Sequence, residues 1–351
     1  MRIAIIGYAH PFGEGMVYGA ERHIYYLIRG LRNLGHECVV FSVKGCNLPG
    51  FEFIPVNIPW KDDEDIYLDL IKKYEKANNT KFDFVYSCMA SGMISQEIRT
   101  QWPYSLHPYM LFHRWSQNII MYSQRLKALS LGSGTVIYFG LPKEQYPTYN
   151  LEDDDYLVWI GRMDHGKAPD IAIEVAKRSN HRIVLMGPSY HYPFAVDNVL
   201  PQVDGNKVIW LRGCSDDIKQ RVLLKAKALI APLWNGYMEM FGIVNIEALA
   251  CGVPVIGWNN DAQPSAIGGG EIIDHGKHGF IVRHTGYGDN VRDQSINCAV
   301  DYLKDIENIN RVDCRQRYEE HFTSDIMTRK TLRFMEIVRE RGTVEDVTRE
   351  L

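Results

Sequence analysis

Two glutamates in one short stretch have the side chains that a site for a hydroxyl-rich ligand requires. Glu239 and Glu247 stand eight positions apart in "NGYMEMFGIVNIEALACGVPV", on either side of Phe241 and Gly242. Helix propensity rises only after Gly242, which predicts that Glu247 lies about one turn inside a helix and Glu239 in the loop before it. A ligand at the helix start would then be within reach of both carboxylates, which accept hydrogen bonds from ribose and sugar diols.

Two cations in "IGRMDHGKAP" indicate a second half of the same site. Gly161, Gly166 and Lys167 fit the P-loop spacing, but Ala168 stands where that motif needs a hydroxyl for Mg²⁺. We therefore expect Arg162 and Lys167 to bind a diphosphate directly, without a metal. A P-loop-like NTP-binding protein stays an alternative, and it predicts Mg²⁺-dependent nucleotide binding.

A glycine-rich loop, "GYAHPFGEGMVYGAER", follows the first predicted strand. Its glycines and the amides of the next helix could hold an anion. The spacing departs from the dinucleotide fingerprint, and the following strand ends in "FSVK" without an acidic residue for a ribose. These departures argue against an NAD-dependent enzyme.

Composition excludes several classes of protein. The chain has 351 residues, of which 46% are hydrophobic, and this length suggests two domains. The net charge of −4 argues against a nucleic-acid partner. Seven scattered cysteines without a C-x-x-C pair indicate reduced thiols in a cytoplasmic protein. No apolar run reaches the roughly 18 residues of a membrane span. The aromatic and basic stretch "RTQWPYSLHPYMLFHRW" leaves a peripheral membrane contact as an alternative.

Short apolar runs alternate with amphipathic segments, which is typical of parallel α/β sheets. We predict strands at 2–7, 37–43, 82–87, 109–113, 118–123, 135–140, 156–161, 182–187, 207–213, 228–233 and 253–258. The proline- and acid-rich stretch 141–155 reads as a linker, after which the pattern restarts. The prediction is two doubly wound Rossmann-like domains facing a cleft, at 1–147 and 148–322. We expect the C-terminal helix 323–342 to pack back onto the first.

The stretches "APLWNGYMEMFGIVNIEALACGVPVIG", "GGGEIIDHGKHGFIV" and "WIGRMDHGKAPDIAIEVAK" resemble the donor-binding signature of retaining GT-B glycosyltransferases, in particular glycosyltransferase family 4 (glycosyl transferases group 1). "GAERHIYYLIRGLRNLGHE" looks like the first N-terminal helix of that family, although Tyr18-Gly19 replaces its usual glycine pair. The resemblance implies that the N-terminal domain binds the acceptor and the C-terminal domain binds a nucleotide-diphosphate sugar.

The resemblance also implies a role for each site residue. Arg162 and Lys167 would bind the donor diphosphate, Glu247 the ribose hydroxyls and Glu239 the transferred sugar. The backbone of Phe241, Gly242 and Ile243 would face the sugar or phosphate, and Gly19 and Gly161 would contribute further donor contacts. His113 matches the histidine that faces the donor sugar, with His107 as the alternative.

The implied reaction is metal-independent sugar transfer with retention, by same-face attack in which the leaving phosphate acts as base. A nucleotide-sugar epimerase or hydrolase on the same fold stays an alternative. The sequence leaves UDP, GDP and ADP open as the donor nucleotide. It likewise leaves open a glycan, a lipid-linked sugar or a small molecule as acceptor, and it does not predict an oligomeric state.

Overall fold

The chain divides into two compact units, each of the α/β class. The computed structural model describes residues 1–7, 10–14, 19–56, 64–88, 105–108, 118–129, 134–189, 192–234, 236–237, 239–260, 271–342 and 344–351. One unit comprises Met1–Pro142 and Thr323–Leu351, and the other comprises Lys143–Phe322. The division lies a few residues before the predicted one, and the C-terminal helix belongs to the first unit.

The main elements alternate along the chain as the sequence pattern predicts. The strands are β1 Arg2–Ile6, β2 Glu37–Val43, β3 Glu52–Val56, β4 Phe84–Ser87, β5 Ser105–Pro108, β6 Ile119–Met121, β7 Thr135–Val136, β8 Tyr156–Ile160, β9 Arg182–Met186, β10 Val208–Leu211, β11 Ala228–Ala231, β12 Val255–Asn260 and β13 Gly279–His284. The helices are α1 Gly19–Asn33, α2 Glu64–Ala77, α3 Gln124–Leu129, α4 Pro169–Arg178, α5 Asp216–Leu224, α6 Ile243–Ala250, α7 Asp289–Lys304, α8 Arg311–His321 and α9 Ser324–Arg341.

Both sheets are doubly wound. The first has the order β3-β2-β1-β4-β5-β6-β7 and the second β10-β9-β8-β11-β12-β13, and the paired strands run parallel. Their central strands are continuous apolar runs because residues such as Ile5 and Val158 are fully buried. The strand order reverses between β1 and β4 and again between β8 and β11, and ligands of such sheets bind at these reversals. The predicted α/β class and the two doubly wound sheets are confirmed.

Strand prediction failed mainly at the edges of the sheets. β3 and β13 are edge strands that the apolar pattern did not predict. β3 carries Pro55, which an edge strand tolerates because one side of it needs no ladder hydrogen bonds. β5 was also missed, and the strand predicted at 109–113 lies outside the described residues.

The C-terminal helix α9 packs against α1 within the first unit. It begins after Thr323, whose side chain accepts a hydrogen bond from the Ile326 amide at 3.3 Å. Gly30 of α1 allows the close approach, since a Cβ there would lie 2.1 Å from Oγ1 of Thr328. In the described ranges, no helix has the length and apolar character needed to cross a membrane.

The division between the two units falls inside the stretch 141–155, between Pro142 and Lys143, and side chains of α8 hold the residues that follow it. Arg315 of α8 donates hydrogen bonds to the carbonyls of Tyr146 and Ala250, at 2.7 and 2.6 Å. Arg311 donates to the carbonyl of Asn150 at 2.8 Å. Tyr146 is buried, and the residues from Lys143 onward are part of the second unit. Composition could not predict these contacts because the partners come from distant α8.

Candidate functional site

The candidate site lies where the strand order of the second sheet reverses. The loops that follow β8 and β11 meet there, and the amide of Trp234 donates to the carbonyl of Gly166 at 3.0 Å. A pocket at this point is lined by the ends of both strands, by Lys167 and Glu239, and by the first turn of α6. The two stretches that the sequence analysis singled out are therefore brought together.

Lys167 and Glu239 form an ion pair in this pocket. The backbone of Lys167 is fixed on both sides, because its amide donates to Asp164 Oδ1 at 2.9 Å and its carbonyl accepts from Trp159 Nε1 at 3.0 Å. Burial, the largest single effect, lowers the pKa of Lys167, but the charge of Glu239, the contribution of Tyr237 and the hydrogen bond to Glu239 together outweigh it, and the pKa is raised. The ammonium is thus charged at neutral pH and positioned at the carboxyl end of the sheet.

Arg162 stands beside this pair and is more exposed than Lys167. Its Nη2 donates a hydrogen bond to the Tyr237 hydroxyl at 3.0 Å and lies 3.3 Å from Oδ2 of Asp164. Tyr237 was not predicted as a site residue. Its sequence position, two residues before Glu239, gave no signal that its ring would lie near both cations.

The start of α6 offers backbone amides to the same pocket. Gly242 precedes the helix with φ at 91°, a left-handed conformation that favours glycine. The amides of Ile243 and Val244 lie at the helix N-terminus, where the helix dipole adds positive potential, whereas the Asn245 amide already donates to the Gly242 carbonyl at 3.0 Å. The Phe241 side chain is buried and packs against Phe322, so only its backbone is a candidate for ligand contact.

Glu247 lies one turn inside α6, as predicted, but it is only 1% exposed. Its Oε1 lies 2.6 Å from Nζ of Lys219 and accepts a hydrogen bond from the Tyr146 hydroxyl at 3.1 Å. The same ammonium is 2.8 Å from Oδ1 of Asp216. Lys219 supplies the opposite charge that a buried carboxylate needs.

Lys219 had a weak signal in the sequence. It stands four positions before Leu223 on α5, so both side chains lie on the buried stripe of that helix. A lysine on such a stripe predicts a buried acidic partner, although spacing cannot identify which one. The signal for Tyr146 was hidden because its stretch reads as a linker.

The remaining predicted residues lie elsewhere or outside the description. Gly161 follows β8, and its amide donates to the Met186 carbonyl at 3.0 Å. Gly19 is the first residue of α1 in the first unit. His107 lies in β5 of that unit, and His113 lies outside the described residues. Their roles toward a donor stay predictions.

The acidic residues at the end of the stretch 141–155 lie at the amino end of β8, away from the pocket. Asp155 lies 2.8 Å from Nζ of Lys227, and the hydrogen bond from that ammonium lowers the pKa of Asp155. Among the described residues, no group of three or more His, Cys, Asp or Glu side chains has a metal-binding arrangement.

Comparison with known sequences identifies the segment that carries the pocket. Residues 143–293 match the family model of glycosyl transferases group 1. The D-inositol 3-phosphate glycosyltransferase of Mycobacterium sp. (strain KMS) is 32% identical over 117 residues. That segment covers 32% of this chain and 26% of the mycobacterial protein. The chain therefore matches about a quarter of that relative's length.

Comparison with solved structures covers nearly the whole chain. A glycosyltransferase from Rickettsia africae has a TM-score of 0.74 at 18% identity, covering 97% of this chain and 99% of that one. Anabaena HepE, solved in complex with UDP and glucose, has a TM-score of 0.69 at 15% identity, covering 96% and 100%. The chain has the fold of these glycosyltransferases, in agreement with the predicted GT-B fold.

Proposed function

We propose that the protein is a glycosyltransferase that moves a sugar from a nucleoside-diphosphate sugar to an acceptor hydroxyl. The observation that carries the proposal is the meeting of Lys167 and Glu239 with the start of α6 in one pocket, with Arg162 close by through its hydrogen bond to Tyr237. Two cations and a helix N-terminus suit a diphosphate, and an adjacent carboxylate suits sugar hydroxyls. The family match over residues 143–293 contains all of these groups.

The proposed chemistry depends on the departure of the nucleoside diphosphate. Arg162, Lys167 and the amides of Gly242 and Ile243 stabilise the negative charge that develops on the leaving phosphate. The Lys167 ammonium has three donors, so it can hold a phosphate oxygen while it keeps Glu239 in place. Glu239 then accepts hydrogen bonds from the sugar. As the sequence resemblance implies, we propose retention, same-face attack with the leaving phosphate as base, and no metal.

Glu247 is proposed to receive the ribose hydroxyls. Because it is almost fully buried, a ribose that reaches it must displace a neighbouring side chain or share the carboxylate with Lys219. A donor with 2′-deoxyribose should therefore bind more weakly, by about tenfold or more, since hydrogen bonds to charged groups contribute about 1.5–3 kcal/mol. Equal affinity for the ribose and deoxyribose nucleotides would mean that Glu247 stabilises the fold and does not bind the ribose.

The remaining parts of the proposal follow the family resemblance. The N-terminal domain would bind the acceptor, with His113 or His107 facing the donor sugar and Gly19 near the donor. The acceptor would be a glycan, a lipid-linked sugar or a small molecule. UDP-glucose is the first donor to test, because Anabaena HepE has been solved with UDP and glucose.

A donor screen followed by a transfer assay tests the proposal. UDP-, GDP- and ADP-sugars are added at increasing concentration, and the melting temperature should rise for the true donor because ligand binding stabilises the folded state. Product formation is then measured with and without EDTA, and NMR reports the anomeric configuration of the product. Donor conversion without transfer would favour an epimerase or hydrolase. Transfer abolished by EDTA and restored by Mg²⁺ would contradict metal independence.

A further inference from the structure

Tyr237 makes contacts with both cations of the candidate site, Arg162 and Lys167. Its hydroxyl accepts a hydrogen bond from Arg162 Nη2 at 3.0 Å. The centroid of its ring lies 5.7 Å from Cζ of Arg162 and 4.9 Å from Nζ of Lys167. The two cations that the proposed function assigns to the diphosphate therefore share one aromatic side chain.

The position of the Tyr237 ring is itself fixed by the loop after β8. A Cβ on Gly166 would lie 2.2 Å from Cδ2 of Tyr237, so the ring packs directly on the Gly166 backbone. The Tyr237 amide also donates to the Trp234 carbonyl at 3.0 Å. The ring is thus held from both loops of the pocket.

The physical effect of this arrangement is to keep two like charges close together. Arg162 and Lys167 repel each other, although Asp164 lies 3.3 Å from Arg162 and Glu239 pairs with Lys167. The negative face of an aromatic ring attracts a cation, and the attraction grows where water is partly excluded. A ring near both cations offsets their repulsion without adding a competing negative charge.

We propose that Tyr237 is a positioning residue of the diphosphate site, which holds Arg162 and Lys167 in place for the two phosphates of the donor. The inference rests on the proposed function and goes beyond it, since it makes affinity for the diphosphate depend on a side chain that carries no charge. The hydroxyl positions Arg162, and the ring supports both cations.

The experiment compares Tyr237→Phe and Tyr237→Leu. Calorimetry first identifies which of UDP, GDP and ADP binds the unaltered protein most tightly, and that nucleotide is the probe. Tyr237→Leu removes ring and hydroxyl and should weaken binding about tenfold. Tyr237→Phe keeps the ring and should weaken binding about threefold. Urea unfolding is followed in parallel, because a positioning role predicts unchanged stability.

Two glycines provide a matched pair of further variants. Gly166→Ala pushes a methyl group into the Tyr237 ring, whereas Gly213→Ala meets no described atom within 4 Å, and neither glycine has a positive φ. We expect Gly166→Ala to weaken binding several-fold and Gly213→Ala to leave it unchanged. In a Tyr237→Leu background, Gly166→Ala should have little further effect, because the ring that it displaces is absent.

Three results would overturn the inference. One is affinity of Tyr237→Leu within about twofold of the unaltered protein. Another is an equal effect of Gly166→Ala in both backgrounds. A third is a loss of affinity that parallels a loss of stability in every Tyr237 variant. If the unaltered protein binds none of the three nucleotides, both the proposed donor site and this inference are wrong. If the Tyr237 variants bind the nucleotide as tightly as the unaltered protein does, only this inference is wrong and the proposed function stands.

Discussion

The second unit contains two lysine–glutamate pairs whose surroundings differ. In the pair Lys167–Glu239, 17% of each side chain is exposed, and both side chains line a pocket. In the pair Lys219–Glu247, 8% and 2% are exposed, and the pair joins α5 to α6. The glutamates stand on either side of one helix start. A ligand can therefore reach the pair Lys167–Glu239, whereas Lys219 and Glu247 mainly neutralise each other's buried charge.

This difference changes what substitution should do. Sequence resemblance alone predicts that replacing Glu247 lowers turnover and leaves the fold intact. The buried contacts with Lys219 and Tyr146 predict a loss of stability as well. The following predictions test the contrast, from the largest expected effect to the smallest.

Lys219→Met should reduce the free energy of unfolding by about 3–5 kcal/mol, because it removes the ammonium that lies 2.6 Å from the buried Glu247 carboxylate. Urea unfolding measures the change. Lys225→Met is the control, since Lys225 is half exposed in a 3.6 Å pair with Asp154 and should cost less than about 1 kcal/mol. The double variant Lys219→Met/Glu247→Leu should regain part of the lost stability. Equal stability of Lys219→Met and Lys225→Met would show that the buried pair Lys219–Glu247 contributes no more to stability than an exposed pair.

Lys167→Met should lower the turnover number by about a hundredfold or more, the size expected when one preorganised group at a developing charge is removed. Its free energy of unfolding should change by less than about 1 kcal/mol, because the pair is partly exposed. Steady-state kinetics and urea unfolding give the two values. Lys177→Met, an exposed lysine of α4, should leave turnover unchanged. If Lys167→Met lost much stability but kept normal turnover, the pair Lys167–Glu239 would be structural and would not be part of the active site.

Tyr146→Phe should cost about 1.5–3 kcal/mol, because the hydroxyl of a buried tyrosine donates to the Glu247 carboxylate. Tyr149→Phe is the matched control, since Tyr149 is 41% exposed and should give a change below about 0.5 kcal/mol. Thermal and urea unfolding both report the difference. An unchanged melting temperature in Tyr146→Phe would mean that the Tyr146 hydroxyl is not needed to satisfy Glu247.

The smallest effect concerns pH. The folded-state pKa of Lys167 is raised above the ordinary value of 10.5, so its contribution to stability is present below that pH and is lost as the pH rises through the folded-state value. The stability difference between the unaltered protein and Lys167→Met should therefore be constant from pH 7 to about pH 10 and shrink above it. A difference that shrinks already between pH 7 and pH 9 would contradict the raised pKa.

Local pattern was sufficient for much of the fold and part of the site. The apolar runs predicted the central strands, where burial on both faces leaves an unbroken signal. Edge strands β3 and β13 were not predicted because they mix apolar with polar or charged residues. β3 also contains Pro55, which an edge strand tolerates. Arg162, Lys167 and Glu239 could be found because residues after parallel strands meet at one edge of the sheet.

By itself the sequence determined the two α/β halves, the start of α6 at Gly242 and the residues that follow β8 and β11. Those features depend on local propensity and on the periodicity of buried residues. Only the tertiary structure decided that Lys219 and Tyr146 hold Glu247, and that Tyr237 lies near both cations. These partners come from separate elements, and no local pattern specifies which buried charge meets which donor across a packed core.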